Sequence, residues 1–130
     1  MTAVADALVL IVDDNEKNVK LARDVLRFSG FRTVEASTAE DGMALAVEHV
    51  PDLILMDIRL PDMDGTTAVR RLKDDARTAA IPVVALTSFA MKGDRERFLA
   101  EGFDGYLEKP ISVREFPGQV RGYTRAGEAT

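Results

Sequence analysis

Three carboxylates, two hydroxyls and one ammonium occupy the positions of this chain best placed to do chemistry. Asp13 and Asp14 directly follow the apolar run Leu8-Val9-Leu10-Ile11-Val12, and Asp57 closes Leu53-Ile54-Leu55-Met56. Thr87 and Ser88 follow Val83-Val84-Ala85-Leu86, and Lys109 follows Gly105-Tyr106-Leu107-Glu108. A single acidic residue after an apolar run is more often a turn-former or helix cap, and Asp14 alone reads equally well that way. The convergence of four runs on one set of groups carries more weight than any member.

Gathering Asp13, Asp14 and Asp57 is costly. Two like charges about 4 Å apart repel by about 4 kcal/mol at an effective dielectric near 20. Without a cation, one carboxylate should therefore have a raised pKa. Oxygen-only donors select a hard cation, Mg²⁺ with Mn²⁺ as a substitute, held by one or two carboxylates, waters and a phosphate oxygen. Lys109 adds a positive charge on a stem able to reach Asp57 or a phosphoryl group on it. Such a set is suited to phosphoryl transfer onto a carboxylate, where positioning and charge neutralisation do most of the work.

For these groups to meet, the runs must be parallel strands ending at one sheet edge. Short apolar runs alternating with stretches of helical period read as five βα units. The strands are expected at 8–13, 32–36, 53–57, 83–86 and 105–108. The first, third and fourth are apolar throughout, as central strands covered on both faces should be, whereas Thr33-Val34-Glu35-Ala36 suits an edge. In an open sheet of this kind the ligand site lies beyond the carboxyl ends of the strands.

Val19, Ala22, Val25 and Leu26 share one helical face, as do Met43, Ala44, Val47 and Val50 in the next helix. Gly30 and Gly102 fall where helices should stop, and Thr38 with Asp41 and Ser112 with Glu115 have capping-box spacing. Pro117 and Gly118 fall inside the last helix, which is expected to be short, kinked or frayed. Residues 1–124 read as one domain and 125–130 as a disordered polar tail.

At 130 residues the chain suffices for one compact core, and it has no cysteine, which excludes disulfides and thiolate metal sites. A formal net charge of −5 argues against binding nucleic acid or anionic lipid. No run is long enough to span a bilayer and the N-terminus lacks a signal peptide, so a cytoplasmic protein is expected.

Taken in order, Leu10-Ile11-Val12-Asp13-Asp14-Asn15, the segment from Pro51 through Asp57 to Gly65, Ala85-Leu86-Thr87-Ser88 and Tyr106-Leu107-Glu108-Lys109-Pro110 resemble the receiver domains of two-component response regulators. Phe89-Ala90-Met91-Lys92-Gly93-Asp94 resembles single-domain regulators of the DivK type and receivers attached to hybrid sensor kinases. The resemblance implies a flavodoxin-like (βα)5 doubly wound sheet of strand order 2-1-3-4-5. It implies that Asp57 takes a phosphoryl group from phosphohistidine on a histidine kinase or histidine phosphotransfer protein. Asp14, one Asp57 oxygen and the Arg59 backbone carbonyl would bind Mg²⁺ directly, and Asp13 through a water.

By the same resemblance, Thr87 and Lys109 would hold the phosphoryl oxygens. Tyr106 would rotate into space that Thr87 leaves, and the Lys109–Pro110 bond would be cis. Arg59 and Phe89 would flank the acyl phosphate and modulate its loss. The signal would leave by contact with a downstream kinase or effector protein, without nucleic acid or membrane, and the only enzymatic steps would be the chain's own phosphorylation and dephosphorylation.

Two rival readings remain at this stage. Asp62-Met63-Asp64-Gly65-Thr66 looks like the nucleophile motif of haloacid-dehalogenase-type phosphatases, but Leu60-Pro61 separates it from the strand end at Asp57. A receiver that no longer takes phosphate and only binds partners is the other, against which all the signature side chains are present. The Asp62 loop fails as a calcium loop, since that frame puts Leu60 first and Arg71 twelfth. His49, the only histidine, reads as a solvated or capping residue.

Overall fold

The computed structural model describes residues 7–88 and 93–124. Phe89, a sequence candidate, and the tail from Arg125 lie outside them. Five βα units follow one another: β1 Leu8–Val12, α1 Glu16–Phe28, β2 Arg32–Ala36, α2 Ala39–His49, β3 Leu53–Asp57, α3 Gly65–Asp74, β4 Val83–Thr87, α4 Asp94–Glu101, β5 Gly105–Glu108 and α5 Phe116–Tyr123. The sheet is parallel throughout with order β2-β1-β3-β4-β5, the doubly wound flavodoxin-like arrangement.

The strands alternate between two cores. Leu10, Val12, Ile54, Met56, Val83 and Ala85 pack against α2, α3 and α4, while Val9, Ile11, Leu53, Leu55, Val84 and Leu86 pack against α1 and α5. β1, β3 and β4 are buried at every position, and β2 at the edge is only partly so, matching the difference in their composition.

Three local expectations needed correction. β1 stops at Val12, one residue short of Asp13, and β4 runs on through Thr87. The buried face of α2 is Ala39, Gly42 and Ala46 with Met43 beside them, whereas Ala44 and Val50 are exposed. Close approach explains this: a Cβ on Gly42 would stand 2.8 Å from a Val12 methyl, so α2 lies against β1 through its smallest residues. α5 is short, at 8 residues, but Pro117 sits in its first turn, where the missing N–H has no intrahelical partner to lose. The proline thus starts the helix rather than interrupting it.

Helix ends follow the side chains. Gly30 and Gly102 have φ of 96° and 113°, and Thr38 Oγ1 accepts from the Asp41 N–H at 3.1 Å. Val50 ends α2 at φ 45°, a left-handed conformation that a β-branched residue pays for in strain.

Candidate functional site

Parallel register makes the reactive residues level. Val12 pairs with Met56 and Asp57 with Leu86, so Asp13, Asp57 and Thr87 emerge within a residue of one another. Thr87 pairs with Glu108, and the Lys109 N–H continues the ladder to the Thr87 carbonyl at 2.7 Å. One edge of the sheet therefore presents residues from four strand ends.

At this edge Asp13 is 2% exposed, Asp57 8% and Thr87 1%, whereas Asp14 is open to solvent. Carboxylate oxygens of Asp13, Asp14 and Asp57 lie within 4.8 Å of one another. The Lys109 ammonium stands between two of them, 2.8 Å from Asp13 Oδ2 and 3.0 Å from Asp57 Oδ2. The Lys109–Pro110 peptide bond, directly after this lysine, is cis. A cleft of about 240 Å³ opens above the group, lined by Asp14, Asn18, Asp57, Arg59, Thr87 and Lys109.

Backbone amides orient the acids. The Asn15 N–H donates to Asp13 Oδ1 at 2.9 Å and the Arg59 N–H to Asp57 Oδ1 at 3.0 Å. Asn15 in turn caps α1, accepting from the N–H groups of Lys17 and Asn18. The cap is therefore Asn15 and not Asp14, which leaves the Asp14 carboxylate available. Sequence reasoning passed over Asn15, although an Asn just before a helical stretch is the usual cap signal.

Burial pushes the Asp57 carboxyl above its ordinary pKa, with Asp13 adding to the rise, and the Arg59 amide and Lys109 oppose without cancelling it. The expectation that one carboxylate of an acidic trio should be raised is met at Asp57. Burial works against the Lys109 charge, but its contacts with Asp13 and Asp57 outweigh that and hold its pKa above the usual lysine range.

The donor set fits a small hard cation. All three side chains are carboxylates, and among the described residues no hydrogen bond reaches Asp13 Oδ2, which is buried with only the ion pair to Lys109 beside it. A buried carboxylate oxygen with lone pairs to spare suits a cation's water shell.

The other sequence candidates are placed as follows. Ser88 lines the same cleft. Tyr106 pairs with Ala85 in the sheet and lies half-buried, its ring 5.8 Å from that of Phe98 on α4. Strand alternation gives Tyr106 and Thr87 the same face, the one covered by α4. His49 lies at the end of α2 beside Glu48, away from the cleft.

The segment proposed for a phosphatase is occupied otherwise. Asp64 caps α3 by accepting from the Thr67 N–H at 2.9 Å, and Asp62 accepts from the N–H groups of Ala39 and Glu40 at the start of α2. Sequence reasoning missed that second role because its partners lie 22 and 23 residues away.

Comparisons with known proteins agree with this geometry. The family model of the response regulator receiver domain matches residues 9–121. The polar-differentiation response regulator DivK of Brucella ovis is 48% identical over 115 residues, which make up 88% of this chain and 94% of that protein. Among solved structures, the receiver domain of sensor histidine kinase PA1611 from Pseudomonas aeruginosa has a magnesium ion coordinated in its active site cleft. It superposes with a TM-score of 0.82 at 32% identity, covering 91% of this chain and 97% of that one. The chemotaxis response regulator CheY4 of Vibrio cholerae shares the fold at a TM-score of 0.83 and 23% identity, covering 89% and 97%.

Proposed function

Since the chain belongs to the response regulator receiver family, we propose that Asp57 is its phosphoryl acceptor and that the Asp13–Asp14–Asp57–Lys109 group is the reaction centre. The observation that carries this is the Lys109 ammonium bridging Asp13 and Asp57 at 2.8 and 3.0 Å, beneath an open cleft. An Asp57 oxygen attacks the phosphorus of a phosphohistidine on a histidine kinase or histidine phosphotransfer protein. A P–O bond forms, the P–N bond breaks, and the imidazole leaves. The Arg59 N–H on Asp57 Oδ1 fixes which carboxylate oxygen stays inside and which faces the cleft.

Mg²⁺, for which Mn²⁺ can substitute, would be held by Asp14, Asp57 and the Arg59 carbonyl, with Asp13 acting through a water, and would neutralise charge on the phosphoryl oxygens. Lys109 then shifts its partnership from the Asp57 carboxylate to a phosphoryl oxygen, and the Thr87 hydroxyl donates to another. Arg59, at the rim of the cleft, and Phe89 control the access of water, whose attack on phosphorus regenerates Asp57 and releases phosphate. These are self-directed steps, and the product is a changed surface.

Thr87 and Tyr106 connect the site to that surface, because they share the face of the sheet beneath α4. A groove of about 520 Å³ lies beside Tyr106, lined by residues of α4, β5 and α5. An effector or downstream kinase recognising this face would read the phosphorylated state, which shifts a two-state equilibrium only by its differential interaction with each state. Among the described residues no helix is long and apolar enough to cross a membrane, and we place the protein in the cytoplasm.

The test is incubation with Mg²⁺ and acetyl phosphate, read by intact mass. A single phosphoryl adduct is expected, absent in Asp57→Asn and absent in excess chelator. An unmodified parent would instead support a receiver that only binds partners. Turnover of a phosphate ester lost in Asp62→Asn would support the phosphatase.

A further inference from the structure

Asp62 does not line the cleft, yet it makes a bidentate long-range contact to the start of another helix. It belongs to the loop between β3 and α3, and its two oxygens accept from the Ala39 N–H and the Glu40 N–H, each at 2.9 Å. With Thr38 Oγ1 on the Asp41 N–H, the three first-turn donors of α2 are satisfied, two of them by a residue of another unit. This is more than a helix needs from its own cap. The hydrogen bonds from Ala39 and Glu40 also hold the Asp62 carboxyl below its ordinary pKa, so it stays ionised at neutral pH.

The loop bearing Asp62 is the one that leaves Asp57. Its base is closed by the Gly65 N–H on the Ile58 carbonyl at 2.9 Å and by an isolated bridge between Arg59 and Asp64. Gly65 sits so close that a Cβ there would stand 2.8 Å from Ile58 Cα. The base is thus fixed against β3, and Asp62, two residues before Asp64, fixes the tip against α2. Arg59 stands in that base, and its N–H holds Asp57 Oδ1.

We infer that Asp62 is a positioning residue for the reaction centre: by clamping the β3–α3 loop to the first turn of α2 it holds Arg59 against Asp57. Its effect on cation binding rests on the reading of the site given above, because that reading makes the Arg59 carbonyl a ligand. Its effect on the loop does not. A residue that served only to cap α2 would stabilise the helix and leave Arg59 unchanged.

Thr38→Ala is the control, since it removes a cap from the same helix end without touching the loop. In chelator, amide hydrogen exchange at Arg59 should be about five-fold faster in Asp62→Ala, the loss expected for one cap-sized interaction, and unchanged in Thr38→Ala. Calorimetric titration with Mg²⁺ alone should show a similar several-fold weakening in Asp62→Ala, a smaller one in Asp62→Asn, and none in Thr38→Ala. Exchange at Arg59 equal to the parent in Asp62→Ala, or equally fast in Thr38→Ala, would overturn the inference. A parent that bound no Mg²⁺ would overturn the cation reading alone, and the exchange data would still decide the role of Asp62.

Discussion

Replacing Asp57 with Asn should stabilise the chain in the absence of cations, although it removes the proposed acceptor. Asp57 stands within 4.8 Å of the Asp13 carboxylate, a repulsion of roughly 3.5 kcal/mol at an effective dielectric near 20. Asp14 adds a smaller repulsion because it is exposed and screened. Lys109 at 3.0 Å returns about 5.5 kcal/mol on the same scale, so the pair energies alone do not disfavour the charge. Burial of the charge then tips the balance, consistent with the raised pKa of Asp57. Asn keeps an oxygen for the Arg59 N–H, but its NH2 replaces the oxygen that accepts from Lys109, so that hydrogen bond goes with the charge and Lys109 is left to Asp13. A net gain in stability follows, read as a rise in Tm.

The pH dependence has a definite sign. The folded-state pKa of Asp57 lies above its ordinary value of 3.8, so the folded chain holds this proton more tightly than the unfolded chain. The parent's contribution from Asp57 is fully present below that ordinary value and is lost as the pH rises through the raised folded value. The Tm advantage of Asp57→Asn should therefore be largest at neutral pH and vanish near pH 4 and below. Thermal melts in chelator across that range measure it. A variant less stable than the parent at pH 7 in chelator would refute the electrostatic reasoning.

Other substitutions should act by separate routes. Lys109→Ala leaves the Asp13–Asp57 pair without its bridging charge and should slow phosphorylation by acetyl phosphate by about 10²-fold, followed by intact mass over time. Gly65→Ala must move the Ile58 backbone, only 2.8 Å from the new Cβ, and should cost about 1–3 kcal/mol by urea unfolding. Val50→Asn relieves a β-branched residue at φ 45° and should stabilise by about 1 kcal/mol in the same assay, with no effect on phosphorylation.

What could be read from residues alone was whatever depended on local pattern and chain order. Fully apolar runs placed β1, β3 and β4 in the sheet centre, and the polar mixture in β2 put it at the edge. With the strands parallel, the residues just past their ends had to share an edge, and Asp13, Asp57, Thr87 and Lys109 do so. The face of α2 was misjudged because large residues were assumed to point inward. The close approach of Gly42 to Val12 reverses that, and only a three-dimensional separation reveals it. Pro117 was read as a breaker because the first residue of α5 could not be located to within a turn.

Asp62 was the least legible residue. A cap that acts on its own helix leaves a signature three residues long, whereas one that reaches α2 from 22 positions downstream leaves none. The Asn15 N–H on Asp13 Oδ1 is an Asx-type contact two residues on, which a spacing rule does contain, but the rule does not say that Lys109 takes the other oxygen. Residue type identified the acids, and backbone amides take one oxygen of Asp13 and one of Asp57, leaving the other of each to Lys109.

The central claim is tested most directly by locating the phosphoryl group. The chain is phosphorylated with acetyl phosphate and Mg²⁺, the acyl phosphate is reduced with borohydride, and the modified position is found by peptide mapping. The reduction mark is expected on Asp57 and on no other carboxylate. A mark on Asp13, Asp14 or Asp62, or an equal yield in Asp57→Asn, would contradict it.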